Sequence, residues 1–372
     1  MSAATVTDTR SLVALDIDGT LVDDGRVPPG TVDTLDLARA AGHQIVLATG
    51  RSLVGLLPIA TRLGLVDGWG VCSNGALTVR LDRSAPSGYD VVEGRTFDPA
   101  KVIQVALDLA PGVRVAVEEV GWGWRTSQPF EPGELNGQQK LVTLDDLTAR
   151  PATRIVLAAP KIRRYTDALH ATGVTVTPMG PDWADIAGRG VNKAVALDGV
   201  RQHLRIPPER TVAVGDGVND LPMLAWAGRS VAMGHAPTIV RSAADETTGT
   251  ITDGGVLPVL ASLVPAVDSS LSPLAAQIAT AEATAPGPVV LRVWHGAGTE
   301  LSRCEAWTLK DGRWTRHAPI PSGVGTTMRA IEAASLEAGL PYPRGDEGRR
   351  RAQWRSVTGD GPAGFELPLS DV

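Results

Sequence analysis

Asp16 and Asp18 stand one residue apart at the end of the apolar run SLVALDI, followed by Gly19 and Thr20. Side chains alternate across a strand, so the pair is expected on one side, roughly 6 to 7 Å apart at about 3.3 Å per residue. Two like charges at that spacing repel unless something compensates, and a divalent cation does so. Gly19 and Thr20 let the backbone turn sharply out of a sheet. Taken alone, such a pair is more often a set of solvated acids.

Three further segments change that reading. HQIVLATG ends in Thr49-Gly50-Arg51, TVAVGDG ends in a run from Gly215 through Asp216 to Asn219-Asp220, and Lys193 opens the helical pattern VNKAVALDGVRQHL. Singly, Thr49 reads as a turn residue, Lys193 as a solvated charge and Asn219-Asp220 as a capping pair. Together, at strand ends of one sheet, they offer carboxylates for a hard cation, a hydroxyl donor, a fixed ammonium and small residues exposing backbone N–H groups. That inventory suits phosphoryl transfer, which needs positioning and charge neutralisation more than covalent machinery.

Strand and helix signals alternate from residue 11 to about 75 and again from about 190 to 265, which predicts an α/β fold with a parallel sheet, ligands lying beyond the strands' carboxyl ends. Between them, DVVEGRTF, VRVAVEEV, TRIVLAA and VTVTP alternate as short strands with helices near DPAKVIQVALDLA and KIRRYTDALHA, an α+β insertion with the character of a lid. The expected division is a core of 11-77 and 188-265, a cap of 78-187, a linker of 266-287 and a small α+β appendage of 288-372. In the appendage, VVLRVWHG reads as a strand and EAWTLKDGRWTRH as a hairpin that sets Leu309 opposite Trp314 across Asp311-Gly312. TTMRAIEAASLEAGLP reads as a helix stopped by Gly339 and Pro341.

A formal charge of −6, 43% apolar and 20% charged residues describe a globular protein and argue against nucleic acid as the main partner. Cys72 and Cys304 build no disulfide framework and no zinc spacing. With no apolar leader or membrane span, the expected setting is the cytoplasm. Oligomeric state is left open.

Several features are ambiguous. Trp122 and Trp124 in GWGWRT, near Glu118, Glu119 and Arg125, either stack a sugar or pack the cap's own core, and the second is favoured. Arg189 is a substrate contact or a hinge arginine. Cys72 reads as a small buried apolar residue, and His235 and His295 as structural. Trp294, Trp307, Trp314 and Trp354 with GRRRAQWRS offer an acidic or nucleic-acid partner a surface, against the commoner reading of a solvated tail.

ALDIDGTLVDDGRVPPGTVDTLDLARAAGHQIVLATGRS, VCSNGAL, GRGVNKAVAL, VAVGDGVNDLPMLAWAG and VAMGHAPTIVRSAAD resemble the motifs of the haloacid dehalogenase (HAD) superfamily, within it the Cof-type phosphatases with a IIB (C2B-type) cap. The resemblance spans about residues 11 to 265. It implies a Rossmann-like HAD core and a Mg²⁺-dependent phosphatase. Asp16 would be the nucleophile, Asp18 the general acid/base, Thr49 a hydrogen-bond donor to phosphoryl and Lys193 the neutralising charge. Asp16, the Asp18 carbonyl and Asp216 would hold Mg²⁺, and Asn219 and Asp220 would orient phosphate, water or Lys193. Gly19, Gly50, Arg51, Asn74 and Gly75 would line the phosphate and substrate site. The implied substrate is a small phosphorylated metabolite, a sugar phosphate first and a nucleotide or cofactor phosphate second. A phosphomutase would use the same acids, and a signalling receiver shares the clustered aspartates but not the long insertion.

Overall fold

The computed structural model describes residues 10–264 and, beyond them, the backbone of five strands between 289 and 368. The chain divides into two compact units, one of Ser11–Pro29 with Gln44–Val256 and another of Met1–Arg10, Gly30–His43 and Leu257–Val372.

The first unit carries both expected layers. Its strands in chain order are β1 (Leu12–Leu15), β2 (Gln44–Ala48), β3 (Gly68–Cys72), β4 (Leu77–Leu81), β5 (Tyr89–Gly94), β6 (Arg114–Glu119), β7 (Gly123–Thr126), β8 (Gln138–Leu141), β9 (Ile155–Ala158), β10 (Val174–Pro178), β11 (Trp183–Gly188), β12 (Thr211–Gly215), β13 (Arg229–Ala232) and β14 (Glu246–Thr247). The helix α1 (Thr31–Ala40) belongs to the other unit, and α2 (Leu53–Arg62), α3 (Ala100–Leu109), α4 (Leu144–Thr148), α5 (Thr166–His170), α6 (Lys193–Leu204) and α7 (Leu221–Trp226) to this one.

An eight-stranded sheet runs β14-β13-β12-β1-β2-β3-β4-β5, parallel from β14 to β3 and antiparallel through β4 and β5. Its central strands read as unbroken apolar runs because both faces are covered. One face buries Leu12, Ala14, Val46, Val71 and Ala213 against Leu197 and Val200 of α6 and Leu224 of α7. Ser52 caps α2, which follows β2, by accepting from the Gly55 N–H, and Asn192 caps α6, where the chain returns from the cap, by accepting from Val195.

The sequence placed the insertion's start at residue 78. The core sheet keeps β4 and β5 instead, so the expected cap strand DVVEGRTF extends the core as its edge, and cap structure begins with the segment after Gly94. An edge strand with an exposed face carries little apolar periodicity, which is why its partner was not legible.

The cap is a six-stranded sheet, β10-β11-β9-β6-β7-β8, antiparallel except for the β7–β8 pair. Alternation sorts its side chains. Val115, Val117, Ile155, Leu157, Ala184 and Ile186 pack into one cluster with Val102 and Ile103 of α3 and Leu169 of α5. Ala116, Trp124, Val156 and Ala158 form a second cluster on the other face.

In the second unit, β15 (Val289–His295), β16 (Leu301–Lys310), β17 (Arg313–Ile320), β18 (Arg355–Val357) and β19 (Gly364–Pro368) form a sheet in the order β17-β16-β15-β19-β18. The register sets Leu309 opposite Trp314, as the Asp-Gly turn predicted. The helix expected at 326–341 lies outside the described residues, as do the side chains of Trp294, His295, Cys304, Trp307, Trp314 and Trp354.

Candidate active site

β1 ends at Leu15, so Asp16 is the first residue beyond the strand and Asp18 lies in the turn that follows. The turn requires Gly19: its φ is +81° and a Cβ there would stand 2.3 Å from the Asp216 Oδ2. Glycine therefore permits the loops after β1 and β12 to approach each other.

Lys193 is completely buried at the start of α6, and its Nζ donates to Asp16 Oδ1 at 2.6 Å and to Asp220 Oδ1 at 2.5 Å. The other Asp220 oxygen accepts the backbone N–H groups of Asp216 and Gly217 at 3.0 and 2.9 Å. Asp220 thus clamps the β12 loop while holding the lysine. Burial alone would lower the Lys193 pKa, but the charges of Asp16 and Asp220 outweigh it and hold the ammonium above its ordinary range. Asp16 is pushed well above the carboxylate range by burial and then by Asp220, against the pull of Lys193. Asp216 is likewise raised, by burial first and Asp220 second.

Ligand oxygens of Asp16, Asp216 and Asp220 lie within 4.8 Å of one another. Three carboxylates face one ammonium, a surplus of negative charge that a hard divalent cation matches, since Mg²⁺ takes oxygen ligands and tolerates few from the protein. The Asp18 side chain is absent from that cluster. Its exposed carboxylate accepts from Arg51 instead, Oδ2 from Nε at 2.8 Å and Oδ1 from the terminal nitrogen at 2.5 Å. The repulsion inferred between Asp16 and Asp18 is met first by two protein cations.

Thr49 is buried one residue past β2, and its hydroxyl accepts the Arg51 N–H at 3.0 Å. Gly50 passes close to Asn74, whose Oδ1 would stand 3.1 Å from a Cβ at that position. Ser73 and Asn74 both adopt left-handed backbone, φ 50° and 54°, a conformation held by tertiary contacts. Gly75 follows with φ +99° and a Cβ there would sit 2.1 Å from the Asn192 carbonyl oxygen. The segment therefore fits only if position 75 has no side chain, and it seats the loop after β3 against the N-cap of α6.

The family resemblance set Asn74 among the lining residues of the substrate site; the structure buries it in a chain of polar contacts. Its Nδ2 donates to Asp185 at 3.1 Å and its Oδ1 accepts from Asn219 Nδ2 at 3.0 Å. His235, read from the sequence as structural, has its Nε2 3.5 Å from Asp216 Oδ2. The sequence did not reveal Glu118, Arg154 and Asp185 as a buried charged group in the cap. Period-two alternation held the signal: the three sit in phase with the second apolar cluster of the cap rather than with the helix-packed one.

A cavity of about 560 Å³ joins these elements, with Asp16, Asp18, Gly50, Arg51 and Asp216 on its core side and Trp124, Asn136, Arg154 and Met179 among the cap residues opposite. Trp124 is nearly enclosed and donates to the Asn136 carbonyl at 2.8 Å, so it is principally a cap-core residue; Trp122 precedes β7 and is exposed. The two tryptophans do not share a strand face. Arg189 is exposed and outside the cavity, while Cys72 is buried and free. A second cavity of about 590 Å³ lies wholly on the cap beside Arg125, Lys140 and Arg150 and touches none of the expected site residues.

Comparison with known proteins agrees with this arrangement. The chain is 28% identical over 262 residues to the 5-amino-6-(5-phospho-D-ribitylamino)uracil phosphatase YitU of Bacillus subtilis, covering 66% of this chain and 94% of the relative. It is also 28% identical over 262 residues to the pyridoxal phosphate phosphatase YbhA of Escherichia coli, covering 65% and 94%. Among solved structures, the HAD subclass IIB sugar phosphatase BT4131 superposes with a TM-score of 0.59 at 25% identity, over 68% of this chain and 98% of that one. Residues 13–106 and 142–260 match the family model of haloacid dehalogenase-like hydrolases, and the chain belongs to that family.

Proposed function

We propose that the chain is a Mg²⁺-dependent phosphatase that hydrolyses a small phosphorylated metabolite, a sugar phosphate by preference, through an aspartyl-phosphate on Asp16. The observation that carries this reading is the enclosed Lys193 between Asp16 and Asp220, with Asp216 alongside, at the floor of a cavity roofed by the cap. Phosphatase relatives and a sugar-phosphatase neighbour support the class of reaction and of substrate.

Mg²⁺, held by Asp16, Asp216 and the Asp18 carbonyl, would neutralise phosphoryl oxygens when bound. Lys193 engages Asp16 Oδ1, which leaves Oδ2 to attack phosphorus as the ester P–O bond breaks. Asp18 gives its proton to the departing oxygen. It then takes a proton from the water that attacks the same phosphorus, breaking the bond to Asp16 and freeing phosphate. Arg51 presents its guanidinium to phosphate when it releases Asp18, and Thr49 and the Gly50 backbone complete the cradle. Asn219 and Asp220 hold the β12 loop in register. The segment from about 95 to 187 acts as the lid that excludes bulk water, and the cytoplasm is the setting the two-cysteine composition favours.

The test is phosphate release from a panel of phosphorylated metabolites, with Mg²⁺ and with chelator. Release that needs Mg²⁺ and vanishes in Asp16→Asn supports the reading. An isomerised phosphate ester without free phosphate would make the protein a mutase.

A further inference from the structure

On the cap side of the cavity, the charged lining residues are Glu134 and Arg154. Glu134 is already engaged, its two oxygens accepting from the Arg114 guanidinium at 2.7 and 3.0 Å. Arg154 differs. It is buried, its guanidinium lies over the Trp124 ring at 5.3 Å from the centroid, and its hydrogen bonds among the described residues leave from Nη2 alone, to both Asp185 oxygens at 2.7 and 2.6 Å. Nε is enclosed and without a partner. Buried donors are paired in nearly all folded proteins, and a guanidinium that lines the cavity with one terminal nitrogen engaged has its other terminal N–H group left for a ligand.

The surroundings decide what kind of ligand group fits. Asp185 already balances the guanidinium, Glu118 is buried nearby on the same face of the cap sheet, and from the core side Asp16, Asp18 and Asp216 look in against a single lining cation, Arg51. A second anion would enter a field that is negative on balance. A neutral oxygen, hydroxyl or carbonyl, takes the free N–H edge without that repulsion.

Arg154 is also fixed with respect to the reacting centre. Asp185 accepts from Asn74 Nδ2, and Asn74 Oδ1 accepts from Asn219, which belongs to the loop that carries Asp216 and Asp220. An unbroken sequence of side-chain bonds, Arg154 to Asp185 to Asn74 to Asn219, therefore ties the cap wall to the core loop.

We propose that Arg154 is the specificity-determining residue of the cap, donating to a neutral oxygen acceptor on the leaving group, and that the Asp185–Asn74–Asn219 chain sets its distance from the reacting phosphorus. This rests on the phosphatase reading above and deepens it.

The test is steady-state hydrolysis of phenyl phosphate and of 3- and 4-acetylphenyl phosphate by the full-length chain with Mg²⁺, in the wild type, Arg154→Met and Arg154→Lys. The readout is the ratio of kcat/KM for the better acetyl ester to that for phenyl phosphate; comparing ratios between proteins cancels intrinsic leaving-group reactivity. The ratio is expected to fall about tenfold or more in Arg154→Met, the size expected for a lost hydrogen bond from a charged donor, and about threefold in Arg154→Lys, which keeps the charge opposite Asp185. A merely structural role lowers both esters alike, and an unchanged ratio in the folded variants overturns the proposal. Preference of the wild type for 3- or 4-carboxyphenyl phosphate over the acetyl esters overturns the neutral-acceptor assignment. Absence of Mg²⁺-dependent release from every ester by the wild type overturns the phosphatase reading, and this one with it.

Discussion

Two buried charged groups sit on opposite walls of one cavity and are built differently. On the core side, Lys193 bonds Asp16 and Asp220, backbone N–H groups take the other Asp220 oxygen, and the Asp216 carboxylate has His235 at 3.5 Å. On the cap side, Glu118 and Asp185 face Arg154, but neutral donors absorb the surplus: Ser73 and Thr153 hydroxyls donate to Glu118 at 2.8 to 2.9 Å, and Asn74 donates to Asp185. Both groups hold more carboxylates than cations. The cap group settles the excess with hydroxyls and an amide, which makes it a rigid wall. The core group leaves carboxylate oxygens unspent, which makes it a site that gains from a divalent cation and a phosphoryl group.

Breaking the core group should have the larger consequences. Asp16→Asn should lower kcat for phosphate release by at least about 10⁴-fold, the scale seen when a nucleophile is removed, with the circular dichroism spectrum preserved. Lys193→Met leaves two carboxylates buried without their cation and should cost about 3–5 kcal/mol of unfolding free energy, read from urea titration. Mg²⁺ at about 100 times its dissociation constant should stabilise the wild type by about 2.7 kcal/mol, and this gain should be lost in Asp216→Asn, read by thermal unfolding with and without chelator.

The cap group should respond more gently. Asp185→Asn keeps a side chain able to bond Asn74 but removes the charge held by Arg154, and should cost about 1–3 kcal/mol. The smallest effect is one of pH. Burial raises the Glu118 carboxyl above its ordinary 4.5, against the pull of Arg154. The folded chain then binds that proton more tightly than the unfolded chain, so stability falls as pH rises from the ordinary glutamate range through the raised value. Glu118→Gln should flatten that part of the stability profile, and an unaltered slope would show that Glu118 does not titrate in the folded protein.

Much of the core group was legible because its parts are local. Each of Asp16, Thr49 and Asp216 stands just past an apolar strand, and strand ends of one parallel sheet converge. Lys193 was legible as a member of the group but not as a fully enclosed ammonium, since burial of a helix's first residue depends on the loop after β3 folding over it. The cap group was illegible for a different reason. Glu118, Arg154 and Asp185 come from β6, the residue before β9, and β11, and only the strand order β11-β9-β6 makes them neighbours. The edge position of β5 escaped for the same reason, as pairing partners are set across the sheet and not along the chain. Arg51 entered the phosphate and substrate site through the family resemblance; its bond to Asp18 required the two loops to meet in space.

The most direct test of the central claim, that Asp16 attacks phosphorus, is chemical trapping during turnover. Acid quench of the Mg²⁺-loaded protein with substrate, followed by borohydride reduction and peptide mass spectrometry, should convert residue 16 to homoserine, the reduction product of an acyl phosphate. Homoserine at another aspartate, or product formation in a burst with no reducible acyl phosphate at Asp16, would contradict it.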